Sequence, residues 1–578
     1  MRRRLEHDEL YAIARDSRIT RLATTLGCEM DAWLESCTAP LPETIRLNPL
    51  RHDRGWTRDI LESLGGRRMD WVGHQTEAYA MPWERGKAPE ESGRFLLQSL
   101  HNTGRHTRQE AVSMLPAVVL QPKAGERVLD ACAAPGSKAT QLAEMIADEG
   151  VIVANEPNAG RMNKLITNRA RLGLRSLVMT QHDARTYPRV PPPGFDAMIT
   201  DVPCSGTGTM RKNRSLWWDW QPSVSRSLHG LQLGIALRAS KLLRAGGAMV
   251  YSTCSIDPLE NEAVVAQLLR SHEWLELERI DIDGLMPELV HGRGVEGWDP
   301  LGGDDDEASR RRVRESHLPP GEIPDEFAQA ASEHHSREEE REEEIRAALP
   351  RCMRVQPHQN DSGGFFVALL RQTDEEGDAR GLSTRPDWPT GQRVPPEGDH
   401  GAPRAIDEQT EASITEEWGG WSGMPGRFWI RGRKVIESCE DIGDWLYDSP
   451  RFDSSGRQMP GGHWHPLKVR HLGRVALGAS KQHPLRPKAE LLLDAGVRPE
   501  LHVHRVETSL VLRLLSDVVI PIEELDGELA AERVGAILLD CDWPTGRRLM
   551  PAWLGTGLRL LLNVDEIAVL QAQAEEEA

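Results

Sequence analysis

Residues 126–146, ERVLDACAAPGSKATQLAEMI, read as a short apolar strand, a tight turn and the first turns of an amphipathic helix. Gly136 lets backbone approach a ligand closely, and the turn lies at a helix N-terminus, whose free N–H groups suit an anionic or polar group. The pattern is neither GxGxxG nor a P-loop, because GSK lacks the upstream glycine at the required spacing. It therefore suits a nucleotide-like ligand with no phosphate requirement, against the plainer reading of an ordinary strand-to-helix turn.

Working outward, four more short apolar runs follow: GVIVANE, SLVMTQHD, FDAMITD and GGAMVYST. Amphipathic stretches such as LHGLQLGIALRASKLL separate them. This alternation predicts an α/β fold, a Rossmann-like parallel sheet covered by helices on both faces. Ligands in such sheets bind beyond the carboxyl ends of the strands, so the residues just after each run are the ones to inspect.

Three of those strand ends carry carboxylates. Glu156 ends the second run about 20 residues after Gly136, where an acid can accept hydrogen bonds from both ribose hydroxyls. Asp183 follows the third run, where it could hold an exocyclic amine, and its neighbour His182 reads as a packing residue. Asp201 ends the fourth run. Together with the turn of Cys132, Ala133, Ala134, Pro135, Gly136, Ser137 and Lys138 they describe an adenosine pocket, with S-adenosylmethionine as its occupant.

Two cysteines stand on the same edge, Cys204 in DVPCSGTG and Cys254 in YSTCSIDPLENE. A lone cysteine is most simply a small packing residue, which is the reading of Cys132, but two among polar turn residues point to chemistry. Carbon 5 of cytosine is too weak a nucleophile to take a methyl group unaided. A thiolate added to carbon 6 makes carbon 5 enamine-like, and the thiolate leaves after methyl transfer and loss of the carbon 5 proton. The route needs a thiolate, a group at ring nitrogen 3 and a base. Asp201, Cys204 and Cys254 are of the right types, and the residues alone leave open which cysteine attacks.

The whole chain has 578 residues, enough for about two to four domains. Its net charge of −19 argues against a nucleic-acid partner only weakly, since about 60 of its 70 basic residues are arginine, the better phosphate and base partner. No long apolar run or signal-like N-terminus is found, so a soluble cytoplasmic protein with no membrane contact is expected. Eight scattered cysteines without a CxxC pair suggest neither a metal site nor a disulfide framework. The oligomeric state stays open, a monomer being consistent with the sequence.

The expected organisation is an N-terminal region over 1–108, helical to about 40, and a catalytic core over 109–372. A charged stretch at about 286–350 reads as a solvated insertion, and 351–372 as two strands completing the sheet. Residues 373–418, rich in Pro, Gly and charge, read as a linker, and 419–578 as a C-terminal mixed α/β domain. The run Met210-Arg211-Lys212-Asn213-Arg214 with Trp217, Trp218 and Trp220 reads either as a grip on unstacked RNA or as packing between domains. A cytosine attacked at carbon 6 must leave any stack.

DACAAPGSK, DVPCSGTGTMRKN and YSTCS, with TIRLNPL, RQEAVSMLP and GGFFVALL, resemble the Nop/Sun family of RNA cytosine carbon-5 methyltransferases over roughly residues 40–372. QEAVSMLP, GTMRKN, LHGLQL and PHQNDSGGFFVALL are most similar to its multisite tRNA branch. The resemblance implies an S-adenosylmethionine-dependent methyltransferase acting on RNA, with tRNA ahead of ribosomal RNA and a catalytically idle RNA-binding protein as the remaining alternative. It implies that Cys254 attacks carbon 6 and that Cys204 assists breakdown of the adduct. Residues 132–138 with Glu156, Asp183 and Asp201 would hold the cofactor, Asp201 also facing the base. Lys138 would transfer a proton, form a salt bridge or start the helix. Glu156 stands where an aspartate is usual. The N-terminal region would be RNA-binding or specific to the family, and the C-terminal domain PUA-like.

Overall fold

The computed structural model describes residues 6–575 outside 89–90, 192, 322–323, 328–338, 375–402, 423–425, 448–467, 479–485, 489–497 and 526. Its centre is a ten-stranded sheet. Five parallel strands, β1 (Arg127–Asp130), β2 (Val151–Asn155), β3 (Leu177–Thr180), β4 (Phe195–Asp201) and β5 (Leu243–Thr253), lie in the order β3-β2-β1-β4-β5. The order reverses between β2 and β4, so β1 and β4 flank the crevice where a ligand is expected. Strands β6 (Met353–Val355) and β7 (Phe365–Gln372) extend the sheet, β7 running antiparallel to β5 from Phe366 opposite Thr253.

The strands form where the sequence is nearly all apolar, because both faces are covered. Val128, Ile152 and Met179 enter the core beneath α1 (Ser137–Met145) and α2 (Ala159–Leu172). Their neighbours Leu129, Val153 and Val178 enter the core beneath α3 (Pro222–Ser240) and α4 (Glu262–Ser271). Successive residues thus serve opposite faces, as the pleat demands. Each fully buried Leu or Val contributes roughly 1.5–3 kcal/mol.

The N-terminal region is helical first, with Met30–Thr38 as its third helix, and then forms a four-stranded sheet containing Pro42–Leu47, Ala78–Glu84 and His106–Arg108. C-terminally lie two five-stranded sheets, one built on Arg427–Arg431 and Lys434–Ser438, the other on Gly535–Trp543 and Gly546–Leu554.

Three expectations need adjustment. The charged stretch at 286–350 is not simply solvated. Its helix α5 (Glu339–Ala348) buries Ile345, and Glu342 accepts two hydrogen bonds from Arg270 of α4, so its glutamates are partly structural. The reading of 373–418 as a linker fails at its end, where Glu408–Trp418 is a helix capped by Asp407, with Trp418 buried; 375–402 lies outside the described residues. The C-terminal region is also not separate from the core. Strand β8 (Val469–Leu472) pairs antiparallel with β3, and buried Arg169 of α2 donates to the carbonyl of Leu472. Pairing by backbone alone leaves little pattern in the sequence to read.

Among the described residues, no helix is long and apolar enough to cross a membrane.

Candidate active site

The turn after β1 starts α1 at Gly136, whose φ is +111° and where a Cβ would meet Leu165 Cδ1 at 2.7 Å. Only glycine fits this conformation beside α2. Helix α2 also holds the turn directly: Arg161 donates to the carbonyl of Ala134 at 2.6 Å and Asn168 to that of Pro135 at 2.6 Å. The turn's residues Cys132, Ala133, Ala134, Pro135, Ser137 and Lys138 line a cavity of about 440 Å³ together with Asp130, Asp201, Cys254 and Phe365.

Lys138 is buried, and its ammonium donates to Asp201 Oδ2 and to Ser113 Oγ, each at 2.7 Å, while lying 5.3 Å from the centre of the Phe365 ring. Burial works against its charge, but the Asp201 carboxylate, helped by Asp130 and Cys254, raises its pKa, so it stays protonated. Asp201 Oδ1 accepts from Ser252 Oγ at 3.0 Å. Lys138 thus forms a salt bridge and also lies in the first turn of α1.

Cys204 and Cys254 follow the adjacent strands β4 and β5, with their sulfur atoms 3.2 Å apart. Cys204 is held as a thiol: its hydrogen bond with Cys254, then burial, then the charges of Cys254, Glu260 and Asp201 push its pKa well above the ordinary value. Gly208 closes the site from below. Its N–H donates to the Cys254 carbonyl at 2.8 Å and its carbonyl accepts from Gly364 N at 2.8 Å, and a Cβ there would lie 2.2 Å from the Gly364 oxygen. The glycines of DVPCSGTG and DSGG therefore let three chain segments meet.

Two residues that sequence reasoning passed over matter here. Glu260 is fully buried, and its carboxylate accepts from Ser205 N (2.8 Å), Ser255 Oγ (2.7 Å), Ser225 Oγ (3.0 Å), Gln232 Nε2 (2.8 Å) and Ser205 Oγ. It clasps the two cysteine-bearing loops together. The run PLENE held it in plain view, but its partners come from the Ser205 loop, the Cys254 loop and helix α3, and no local spacing connects all three. Asp130, at the end of β1, is buried with Oδ2 unpartnered, and burial raises its pKa to about 7.

The outer acids are placed differently. Glu156 ends β2, buried, accepting from Asn158 N at 2.8 Å and facing Arg161 at 3.4 Å. Asp183 is 42% exposed and bridged to Arg185 at 2.6 Å. Neither lines the cavity. His182 is a packing residue, its ring 5.6 Å from that of Tyr187. Cys132 packs partly against the core, and burial raises its pKa well above the ordinary value. The tryptophans divide: Trp217 and Trp220 are buried against the N-terminal helices, Trp217 edge-on to Trp33 at 5.8 Å, while Trp218 is 43% exposed.

A parallel sheet in this order, with a glycine turn after its first strand and acids at the next strand ends, defines the class of Rossmann-like methyltransferases. Residues 117–293 match the family described as 16S rRNA methyltransferase RsmB/F. A tRNA (cytosine(49)-C(5))-methyltransferase of Pyrococcus abyssi is 36% identical over 42% of this chain and 75% of its own length. The multisite-specific tRNA:(cytosine-C(5))-methyltransferase of Saccharomyces cerevisiae is 34% identical over 60% of this chain and 54% of its own. The enzyme of that description called trm4b in Schizosaccharomyces pombe is 31% identical over 67% and 63%. The chain belongs to the RsmB/F (Nop/Sun) family of methyltransferases. It spans only 54% and 63% of the lengths of the two fungal relatives.

Proposed function

We propose that the protein is an RNA cytosine carbon-5 methyltransferase acting on tRNA in the cytoplasm. The observation that carries this reading is the pair of thiols 3.2 Å apart, of which Cys254 lines the same cavity as the Lys138–Asp201 ion pair and the turn after β1. The names of the relatives favour tRNA over ribosomal RNA.

The cavity suits S-adenosylmethionine, which carries an ammonium and a sulfonium. Asp130 offers an unpartnered buried carboxylate oxygen on its wall, and Asp201 adds a second negative group. When bound, this cofactor supplies an electrophilic methyl group. Residues 132–138 would hold it, with Glu156 at the ribose and Asp183 at the adenine once each exchanges its arginine for the ligand.

Cys254 is the nucleophile: its sulfur forms a bond to carbon 6 of the cytosine, and the ring gains electron density at carbon 5. Asp201 would face the cytosine ring, and Lys138, kept protonated by Asp201, would be its partner in proton transfer. After carbon 5 is methylated, a base takes its proton, the electron pair of that bond re-forms the carbon 5–carbon 6 double bond, and the bond from Cys254 to carbon 6 breaks with the sulfur leaving as thiolate. Cys204, a thiol in contact with Cys254, assists that step. The C-terminal domain, read as PUA-like, and the N-terminal region would hold the rest of the RNA.

Bisulfite sequencing of tRNA and ribosomal RNA incubated with the protein and S-adenosylmethionine tests this. New protected cytosines in tRNA are expected. Protection confined to ribosomal RNA would move the substrate, and no methylation of either would leave an RNA-binding protein.

A further inference from the structure

Beside the reaction cavity opens a second one, of about 320 Å³, walled by the start of the Pro42–Leu47 strand, by Glu84 and Arg85, and by the 211–214 turn. The two cavities share Arg85, Arg108, Gln109, Glu110, Arg211 and Lys212, so they adjoin along one wall.

The charges on its wall do not balance. Glu43 is paired with Arg108 at 3.1 Å and Glu84 with Lys87 at 2.5 Å. Glu110 turns its carboxylate to Gly363 N at 3.0 Å and Ser113 N at 3.3 Å. Arg211 is spent on the carbonyls of Ala39 and Ser362 and on Asp361. Arg85, Lys212 and Arg214 remain, and among the described residues their side chains have no hydrogen bond or ion pair. Arg85 also crowds its neighbours: behind burial, its charge helps to lower the pKa of Arg108 and of His101. Cations set beside one another without a counter-ion are what an anion relieves.

We propose that this second cavity binds backbone phosphates of the nucleotides flanking the target base, with Arg85, Lys212 and Arg214 as their partners. The proposal rests on the RNA reading of the reaction cavity. A strand that delivers one base into the first cavity must run its backbone along the shared wall, and phosphate contacts of this kind position a nucleic acid without reading its sequence. Exposed Trp218, four residues beyond Arg214, offers a face on which an adjacent unstacked base can lie.

The test is tRNA binding by fluorescence anisotropy across a salt series for the wild type, for R85A, K212A and R214A, and for the triple variant. Each phosphate partner lost should flatten the slope of log K against log salt by ~0.7–0.9, so the triple variant loses about 2–3 in slope and roughly tenfold or more in affinity at moderate salt. The exchanges R85K and R214K should keep most of the slope. Melting temperature reports that the variants are folded and should match the wild type. A folded triple variant with the wild-type slope overturns the phosphate site. A wild type that binds tRNA without salt dependence overturns the RNA reading instead, and equal loss of polyglutamate binding would assign the wall to an acidic protein.

Discussion

The sulfur of Cys254 lies 3.2 Å from that of Cys204, each just past the end of one of two adjacent parallel strands. At this distance a group bonded to one sulfur is within reach of the other, yet their surroundings differ. Cys254 lines the cavity with Lys138, whereas the hydrogen bond with Cys254, burial and the charges of Glu260 and Asp201 all oppose ionisation of Cys204.

That asymmetry separates the two alanine variants. C254A should lose methylation and form no covalent RNA complex. C204A should keep the attacking thiol and accumulate a protein–RNA adduct that survives a denaturing gel. The reverse pattern would exchange the two roles.

Glu260 should matter to both thiols without touching substrate. Glu260→Ala strands donors from Ser205 and Gln232, and at ~1–3 kcal/mol for each buried group left unpaired a loss of about 2–6 kcal/mol is expected in denaturant unfolding. Glu260→Gln keeps the shape but removes the negative charge that contributes to the raised pKa of Cys204. Iodoacetamide labelling followed by mass spectrometry should then show Cys204 reacting at lower pH than in the wild type. An unchanged labelling profile would make Glu260 a purely structural brace.

The glycine turn, the five apolar runs and the two cysteine loops were legible because each is local: a few residues carry both the conformation and the chemistry. Lys138 was legible as a candidate, but its pairing with Asp201 crosses from one βα turn to another, and only the fold sets that distance. Glu260 was invisible for the same reason. The tryptophans show a different limit, since Trp217 and Trp218 are neighbours in sequence and only the docking of the N-terminal helices buries one and leaves the other exposed. Strand β8 joined the sheet against expectation because backbone hydrogen bonding asks almost nothing of side chains.

The C-terminal region is locked to the N-terminal one through a buried charge cluster. Arg105 donates to Asp53 at 2.8 Å and to Glu566 at 3.1 Å, and Arg548 reaches Asp53 at 2.6 Å. Arg105 and Asp53 are each 1% exposed. Arg105→Met removes one partner and leaves buried carboxylates, which costs ~3–5 kcal/mol. Limited proteolysis should release a C-terminal fragment from this variant faster than from the wild type. Equal cleavage rates would mean that the charge cluster does not control the docking of the C-terminal region.

His229 and His317 are both buried, their rings 4.6 Å apart. His229 Nδ1 lies 2.7 Å from the carbonyl of Leu259, next to Glu260, so the pair braces the clasp beneath the thiols. Burial lowers the pKa of His317 to about 3, helped by His229, Arg226 and Arg314, and burial lowers that of His229 to about 4. An unfolded histidine titrates near ~6.5, so between about 6.5 and 4 the unfolded chain binds more protons than the folded one. The stability that these neutral rings contribute is complete above about pH 6.5 and drains away as pH falls toward their folded values. Buried acids with raised pKa, such as Asp130 and Asp257, act in the opposite direction in the same range, so the melting temperature of the wild type alone is a poor reporter. The difference between wild type and His317→Gln cancels them. The variant should melt below the wild type at pH 7.5, and the gap should narrow steadily as the pH is lowered to 5. A gap that stays constant over this range would show that the histidine pair does not titrate with folding.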